Sequence, residues 1–224
     1  GETVEASAVI STAPVNVLPK LVEGSTALDH LTRFRYRPMI FVNLHFDGRH
    51  HLPDTMLWVP DRSMPFFRLT ETPISMPWLA PEGKTLITAD IGCAVGDERW
   101  TMPDDALAAL CLDGICAIYP HLRGKHLGAG GIMRTPVSYP VYRLDYEEDR
   151  RRFARSTGID GLWSIGRNGE FAHILMEDVH CRTLKRMDEV ADYVCPSSST
   201  DRAVADLKRM GRLMASERGT TEAA

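Results

Sequence analysis

The sequence predicts an α+β fold in which an antiparallel sheet is covered by helices. Short segments rich in β-branched and aromatic residues follow one another closely, and Pro, Gly or Asp separates them, as is typical of antiparallel strands. Segments with helical apolar spacing lie near the N-terminus, in the middle and in the last third of the chain. The chain has 224 residues, of which 44% are hydrophobic and 25% charged, so it can bury a core.

The N-terminal half is dominated by predicted strands. Residues 3–10 predict the first strand, and the turn of residues 11–14 starts a helix over residues 15–22. The clearest strand spans residues 39–46, because hydrophobic and polar side chains alternate along it. Its two predicted faces carry Ile40, Val42, Leu44 and Phe46 on one side and Asn43 and His45 on the other. Further strands are predicted at residues 55–59, 66–70 and 84–91.

The second half contains most of the predicted helices. Pro103 opens a helix whose first acids, Asp104 and Asp105, lie near the positive end of the helix dipole. We expect this helix to cover the sheet with an apolar stripe formed by Leu107, Leu110 and Ile115. Residues 130–143 predict further β-structure, and residues 161–165 predict a short strand. Helices are predicted over residues 146–155, 172–192 and 200–216, the last with Val204, Leu207, Met210 and Leu213 along one side.

Charge and cysteine content favour small-molecule chemistry in a reducing compartment. The formal net charge of -4 and the pI near 6.1 give no basic face with which to neutralise nucleic acid. No apolar run reaches the length of a transmembrane helix. The five cysteines are odd in number and include no Cys-x-x-Cys, so neither a disulfide framework nor a zinc ribbon is indicated. We therefore expect a cytoplasmic protein with a small-molecule substrate, without a nucleic-acid partner or a transmembrane segment.

A cluster of histidines is the one candidate for a metal site. His45, His50 and His51 lie close in sequence to Asp47 and Asp54. Adjacent side chains on a strand point to opposite faces, which leaves too few ligands on one side. The sequence therefore favours a solvent-exposed turn over a metal site, and no metal is predicted. No Gly-x-Ser-x-Gly segment indicates a hydrolase. A nucleophilic cysteine is an alternative to the small core residues that free cysteines usually are.

Residues 166–173, Gly-Arg-Asn-Gly-Glu-Phe-Ala-His, follow the strand predicted at residues 161–165. This segment resembles the second FAD-contacting motif of the amine oxidase, protoporphyrinogen oxidase and UDP-galactopyranose mutase superfamily. Three other segments resemble that superfamily in the expected order: residues 9–14, 34–38 and 139–142. Glycines let a backbone pass close to a planar ligand, and the N-terminus of a following helix favours electron-rich atoms.

The resemblance, which covers residues 1–195, implies FAD as cofactor and a set of candidate contacts. The cofactor-binding candidates are Gly166, Arg167, Asn168, Gly169, Glu170, Phe171 and Glu177, and the substrate-binding candidates are Arg37 and Tyr142. Arg167 is expected to pair with the cofactor phosphates or with an acid elsewhere in the enzyme. The alternative is that the glycines only shape a turn, that Arg167 and Glu177 are surface charges, and that Arg37 and Tyr142 have local partners. No residue is assigned as catalytic.

Members of the superfamily begin with Gly-x-Gly-x-x-Gly, which this sequence lacks. The glycines at 128, 130 and 131 have the wrong spacing and precede a strand, so they predict a turn. With Gly1 as first residue, the resemblance implies the C-terminal half of an enzyme whose N-terminal FAD-binding half is supplied in cis or by a partner chain. The predicted domains are a partial FAD-domain strand and helix (1–30), an antiparallel-sheet substrate domain (31–150), a Rossmann-like FAD-contacting segment (151–195) and a C-terminal helix and tail (196–224).

The implied activity is oxidation of a small organic substrate by hydride transfer to flavin, by an FAD-dependent oxidoreductase that is inactive as this isolated fragment. Two alternatives stay open at this stage. One is a UDP-galactopyranose mutase-like flavoenzyme without net redox chemistry, and the other is a noncatalytic subunit that completes a separate flavoprotein. The sequence does not select among amines, porphyrinogens, carotenoid precursors and nucleotide sugars as substrates.

Overall fold

The structure is a computed structural model that describes residues 1–195, 206–208 and 210. The chain divides into two compact units. The sheet unit is Tyr36–Tyr139, and the terminal unit combines Gly1–Arg35 with Pro140–Ala224. The domain boundaries expected from the sequence stay predictions.

Strands dominate the first half of the chain, and helices become more frequent in the second. The strands are β1 (Val9–Ser11), β2 (Tyr36–Asp47), β3 (Met56–Trp58), β4 (Arg68–Thr70), β5 (Lys84–Gly92), β6 (His126–Pro140) and β7 (Leu162–Ser164). The α-helices are α1 (Glu98–Thr101), α2 (Asp104–Ile118), α3 (Glu147–Arg155), α4 (Gly166–Gly169) and α5 (Met176–Val194). Short 3-10 helices cover Leu18–Lys20, Asp29–Arg33, Thr72–Ile74, Pro77–Leu79, Pro120–Lys125 and Leu144–Tyr146.

The sheet unit is built on a five-stranded sheet with the strand order β3-β4-β5-β2-β6. Strands β2 and β5 pair antiparallel from Met39 opposite Gly92 to Asp47 opposite Lys84, and β4 pairs antiparallel with both β3 and β5. The antiparallel sheet predicted from the sequence is therefore confirmed.

The core of the sheet unit lies between one face of this sheet and helix α2. The four side chains predicted for the core face of β2 are all fully buried, as are Ile87 and Ala89 of β5. They share one cluster with Leu107, Cys111 and Ile115 of α2. Leu107 and Ile115 of the predicted stripe thus cover the sheet, because burial of these side chains removes apolar area from water. Leu110 is only partly buried and is not part of this cluster, whereas its neighbour Cys111 is.

The second face of the sheet, opposite α2, carries a row of paired side chains. The register places Trp58, Arg68, Asp90 and Phe41 side by side across β3, β4, β5 and β2. Arg68 and Asp90 form an ion pair, and the Arg68 guanidinium lies 5.6 Å from the Trp58 ring centroid. Burial raises the pKa of Asp90, while the charge of Arg68 opposes that rise. We call these four residues the cross-strand row.

The terminal unit contains a small parallel sheet. Strands β1 and β7 pair parallel from Val9 opposite Leu162 to Ser11 opposite Ser164. Helix α5 packs on this pair through Val190 and Tyr193, and the rings of Tyr193 and Trp163 meet edge to face at 5.0 Å. The structure is thus a mixed α/β fold with one antiparallel and one small parallel sheet. A Rossmann-like domain stays a prediction.

Several predicted elements differ from the structure. Residues 15–22 form a 3-10 turn at Leu18–Lys20 and no α-helix, because Pro19 lies inside the predicted helix and lacks a backbone N–H donor. The strand expected over residues 3–10 is reduced to β1. Helix α5 begins four residues later than predicted, after the loop that follows α4. Most of the predicted last helix lies outside the described residues, although residues 206–208 and 210 are helical. Among the described residues, no helix has the length and apolar character needed to cross a membrane.

Candidate functional site

The Gly-Arg segment lies in the terminal unit between β7 and α5, and we call residues 166–175 the Gly-Arg loop. The strand pair β1 and β7 fixes where the loop begins, because the backbone N–H of Ile165 donates to the Ser11 carbonyl at 2.9 Å. The Ser164 hydroxyl donates to the Gly169 carbonyl at 2.7 Å and closes the first turn. That turn is the four-residue helix α4, which is too short to develop a large dipole. The helix dipole therefore contributes little to attracting electron-rich ligand atoms, although the sequence predicted such a contribution.

The two glycines of the loop have different structural roles. Gly166 has a φ of +84°, which favours glycine, and a Cβ built on it would meet no atom within 4 Å. A Cβ on Gly169 would lie 3.1 Å from Ser164 Oγ and 3.4 Å from the Ser11 carbonyl oxygen. Gly166 therefore leaves the backbone open to a ligand, whereas Gly169 allows the loop to pack against its own strands.

Two side chains hold the second half of the loop. Arg167 Nη1 donates to the Ile174 carbonyl at 2.8 Å. The Tyr142 hydroxyl accepts from the His173 backbone N–H at 2.7 Å and donates to the Phe171 carbonyl at 3.3 Å. These bonds fix the path of the loop where it has no regular secondary structure. The predicted partners of Arg167 were phosphates or an acid, and the structure adds this backbone carbonyl.

Phe171 supports the loop from inside the terminal unit. Its side chain is buried and stacks on Phe34 with ring centroids 4.6 Å apart, and Tyr142 and Tyr146 meet its edge. Its φ of +50° lies in the left-handed region, which is rare for a bulky residue. Such a conformation persists where packing enforces it. The Phe171 ring thus belongs to an aromatic core that positions the loop.

The two acidic candidates differ in their surroundings. Glu170 Oε2 accepts from Arg182 Nη1 at 3.1 Å, while Glu170 Oε1 is buried and has no hydrogen-bond partner within the described residues. Glu177 is exposed in the first turn of α5. The structure thus brings six of the seven cofactor candidates together in one loop and places Glu177 at the start of the next helix.

The substrate candidates fall in different units. Tyr142 belongs to the terminal unit and contacts the Gly-Arg loop, whereas Arg37 belongs to the sheet unit. Arg37 lines a cavity of about 550 Å³, which we call the sheet cavity. Its other lining residues are Met39, Val59, Pro60, Asp61, Arg62, Met64, Pro65, Phe66, Phe67, Gly92 and Tyr139. Sequence reasoning identified only Arg37 in this cavity, although a glycine at the end of a strand, Gly92, was an available signal.

The histidine cluster serves the fold. His51 Nε2 lies 2.8 Å from the Asp47 carbonyl oxygen. The buried Glu71 carboxylate accepts from the backbone N–H groups of His51 and Leu52, both at 2.8 Å, and from the Thr85 hydroxyl at 2.9 Å. Within the described residues, no three His, Cys, Asp or Glu side chains are placed to hold a metal ion.

The buried cysteines are poorly suited to act as nucleophiles. Cys93, Cys111 and Cys116 are buried, and burial raises the pKa of each thiol, that of Cys111 to about 12. The thiolate is the reactive form, so burial disfavours nucleophilic reactivity at these three residues. Cys181 and Cys195 are exposed and free.

Solved structures similar to this chain share its fold. A reduced UDP-galactopyranose mutase is 18% identical with a TM-score of 0.66, and the match covers 88% of this chain and 45% of that one. A putative protoporphyrinogen oxidase from Exiguobacterium sp. 255-15 is 14% identical with a TM-score of 0.50, and the match covers 80% of this chain and 41% of that one. An oxidoreductase from Methanosarcina mazei is 20% identical with a TM-score of 0.52, and the match covers 82% of this chain and 43% of that one. The chain therefore spans less than half the length of each of these proteins.

Sequence comparison assigns the family. No curated protein matches the chain. The family described as flavin containing amine oxidoreductase matches residues 1–165, which is most of the chain. The superfamily resemblance found in the sequence is thereby confirmed, and so is FAD as the cofactor. The chain belongs to the flavin containing amine oxidoreductase family.

Proposed function

We propose that this chain forms the C-terminal part of an FAD-dependent oxidoreductase that oxidises a small organic substrate. The family match over residues 1–165 is the observation that carries the proposal. FAD, when bound, supplies the acceptor for a hydride removed from the substrate, while the protein supplies position and electrostatics. The remaining contacts to FAD come from the Gly-x-Gly-x-x-Gly part of the enzyme, in cis or from a partner chain, since this chain spans 45% of the mutase structure.

The Gly-Arg loop fits the edge of a planar cofactor. The test is the space beside Gly166, where a Cβ would project without meeting another atom of the protein. A ligand can therefore approach the backbone closely at this point. We assign cofactor contact to Gly166, Arg167 and Asn168, which are partly exposed. Glu170 and the exposed Glu177 flank them and are the acidic candidates for contact.

The other loop residues position this edge. Gly169 and Phe171 are buried, and Tyr142 holds the carbonyl of Phe171 and the N–H of His173. Fixed geometry lowers the entropy lost when a ligand binds. Tyr142, with more than half of its surface exposed, still presents one side of its ring for substrate contact.

A mutase-like activity is the second candidate. The observation in its favour is the TM-score of 0.66 to the reduced UDP-galactopyranose mutase, against 0.50 to the putative protoporphyrinogen oxidase. Such an enzyme would use reduced flavin without net oxidation of its substrate. The fold likeness alone does not separate the two chemistries, and a redox measurement does.

The test uses the chain alone and the chain expressed with its upstream coding region. We expect visible flavin absorbance in the second sample, and no flavin in either would contradict the proposal. An oxygen-free titration with amines, porphyrinogens and nucleotide sugars then separates the candidates. Bleaching of the oxidised flavin by a substrate supports the oxidoreductase. Conversion of a nucleotide sugar only after prior reduction of the flavin supports the mutase.

A further inference from the structure

The sheet cavity lies against the second face of the sheet, at the end where β2 begins and β5 ends. Ile40 and Ile91 are paired and buried on the core face. Their neighbours Met39 and Gly92 are also paired, and they line the cavity. Side chains alternate along a strand, so Arg37 shares the face of Met39. The segment between β3 and β4, residues 59–67, forms the rest of the wall.

Gly92 leaves the space that the cavity occupies. A Cβ built on Gly92 would meet no atom within 4 Å, and its φ lies outside the left-handed region. The backbone at this position therefore accepts any side chain without strain. Glycine weakens a strand interior and often marks the close approach of a ligand or of another backbone. Gly92 is exposed at the end of β5 and lines the cavity, so the space beside its backbone is open to a ligand.

Two guanidinium groups give the cavity a positive character. Arg37 and Arg62 are exposed, and neither guanidinium group forms an ion pair or a hydrogen bond within the described part of the chain. One acid lies beside them. The Asp61 carboxylate accepts from the Ser63 backbone N–H and hydroxyl, both at 2.8 Å, and these bonds lower its pKa. The lining thus carries two cations and one anion that is already hydrogen-bonded.

The remaining wall is apolar and aromatic. Its lining includes Met39, Met64, Phe66, Phe67 and Tyr139. The Phe67 ring is held in place by stacking on Trp58, with centroids 5.8 Å apart. Small-molecule sites are typically apolar cavities of about 300–1,000 Å³ with a few polar groups that fix orientation. The volume of about 550 Å³ falls within that range.

We propose that the sheet cavity binds an organic anion: an apolar or aromatic body that carries one carboxylate or phosphate group. Arg37 and Arg62 pair with the anionic group, since guanidinium geometry matches carboxylate and phosphate oxygens. The body lies beside Gly92 against the aromatic wall. This inference rests on the proposed function in that it names the chemical class of the enzyme's substrate.

Three naphthalene probes test the charge preference on the full 224-residue chain. They are naphthoate, naphthylmethanol and naphthylmethylammonium, and calorimetric titration gives the three affinities. We expect naphthoate to bind about tenfold more tightly than the neutral probe, because one charged hydrogen bond contributes about that much affinity. The cationic probe should bind most weakly. Equal affinities, or no binding by naphthoate, would overturn the proposal.

Variants locate the binding to this cavity. Gly92→Leu fills the space and should abolish naphthoate binding, whereas Gly124→Leu is the matched control at an exposed glycine with equally open surroundings. Arg37→Gln and Arg62→Gln should each lower the affinity for naphthoate by about tenfold and leave the affinity for naphthylmethanol unchanged. Asp61→Asn should raise the affinity for naphthoate, because it removes a negative charge that repels the naphthoate carboxylate. The amide oxygen of asparagine can still accept the hydrogen bonds from Ser63.

The outcomes separate this inference from the proposed function. If Gly92→Leu binds naphthoate as well as Gly124→Leu does, the sheet cavity is not the site. If Gly92→Leu fails to fold, the two arginine variants decide the question alone. Flavin content is measured separately, so a chain that binds naphthoate but acquires no flavin even when it is expressed with its upstream coding region supports the cavity and contradicts the flavoenzyme.

Discussion

The hydroxyl of Tyr142 has one function that the structure makes testable, because it bridges two backbone groups of the Gly-Arg loop. Tyr142→Phe removes both hydrogen bonds and keeps the ring against Phe171. We expect the unfolding free energy to fall by about 1–2 kcal/mol, measured by chemical denaturation. Tyr119→Phe is the control, since no hydrogen bond to the Tyr119 hydroxyl is found in the described residues. Equal effects of the two substitutions would show that the bridge contributes nothing.

Glu71 is a second residue whose contribution can be measured. Its buried carboxylate satisfies two backbone N–H groups and one hydroxyl. Glu71→Ala leaves these donors without partners, and each unsatisfied group costs about 1–3 kcal/mol. We expect a loss of about 3 kcal/mol or more in unfolding free energy.

Glu71→Gln is the matched variant, because its amide oxygen can accept from both N–H groups and its amide nitrogen can donate to Thr85. We expect it to retain most of the stability. If the alanine and glutamine variants unfold at the same denaturant concentration, the hydrogen bonds of Glu71 are not what stabilises the turn at His51.

At the scale of elements, the ion pair of Arg68 and Asp90 in the cross-strand row joins β4 to β5, and the Arg68 guanidinium also lies over the Trp58 ring of β3. Asp90 is almost fully buried and depends on Arg68 for compensation of its charge. Arg68→Leu leaves the carboxylate alone, and loss of one partner of a buried pair typically costs about 3–5 kcal/mol. We expect a loss of about 3 kcal/mol at neutral pH, measured as unfolding free energy.

The same variant should make stability depend on pH. Burial already raises the pKa of Asp90 above its unfolded value, and removal of Arg68 raises it further. The folded form then binds a proton more tightly than the unfolded chain does. The contribution of Asp90 to stability is therefore fully present below the unfolded pKa of Asp, about 3.9, and is lost as the pH rises through the folded pKa. Arg68→Leu combined with Asp90→Asn should abolish this slope, and a slope that persists would assign it to other groups.

These elements differ in how well the sequence predicts them. Strands β2 and β5 and helix α2 follow from hydrophobic period, because each buries a regular face in one core. Helix α5 begins after Leu175, whose backbone N–H donates to the Asp178 carboxylate at 3.3 Å. In the loop before it, the left-handed Phe171 stacks on Phe34, which lies far away in the sequence. No local pattern encodes such a contact. The ion pair of Arg68 and Asp90 similarly depends on the pairing register of β4 and β5. Neither strand's sequence alone determines that register.

The candidate site was predictable in one part only. The Gly-Arg loop is continuous in sequence, so the glycine pattern and the strand before it indicated its position. The sheet cavity draws on β2, β5, β6 and the segment between β3 and β4, which lie far apart in the chain. Arg62 and Gly92 have no sequence neighbours that mark them as partners of Arg37. Only the pairing of the strands brings them together.

At the scale of the whole molecule, the proposed flavoenzyme depends on a loop that leaves one backbone edge open. Gly166 is the residue that tests this, since its Cβ position is empty. A longer form of the protein that carries flavin is the material for the experiment. In it, Gly166→Ala adds one methyl group where the cofactor edge is proposed to lie. We expect flavin affinity to fall by about tenfold, measured from the flavin-to-protein absorbance ratio during dilution.

Backbone strain is the effect that must be separated from this loss. Alanine at a positive φ costs about 1–2 kcal/mol whether or not a ligand is near. Gly24 supplies the control, because it also lies in the terminal unit, has a φ of +78° and would place a Cβ in open space. Gly24→Ala should lower the thermal midpoint as much as Gly166→Ala does, but it should keep its flavin. Retention of flavin by both variants would show that Gly166 does not contact the cofactor, because an added methyl group at a close contact lowers the affinity for the ligand.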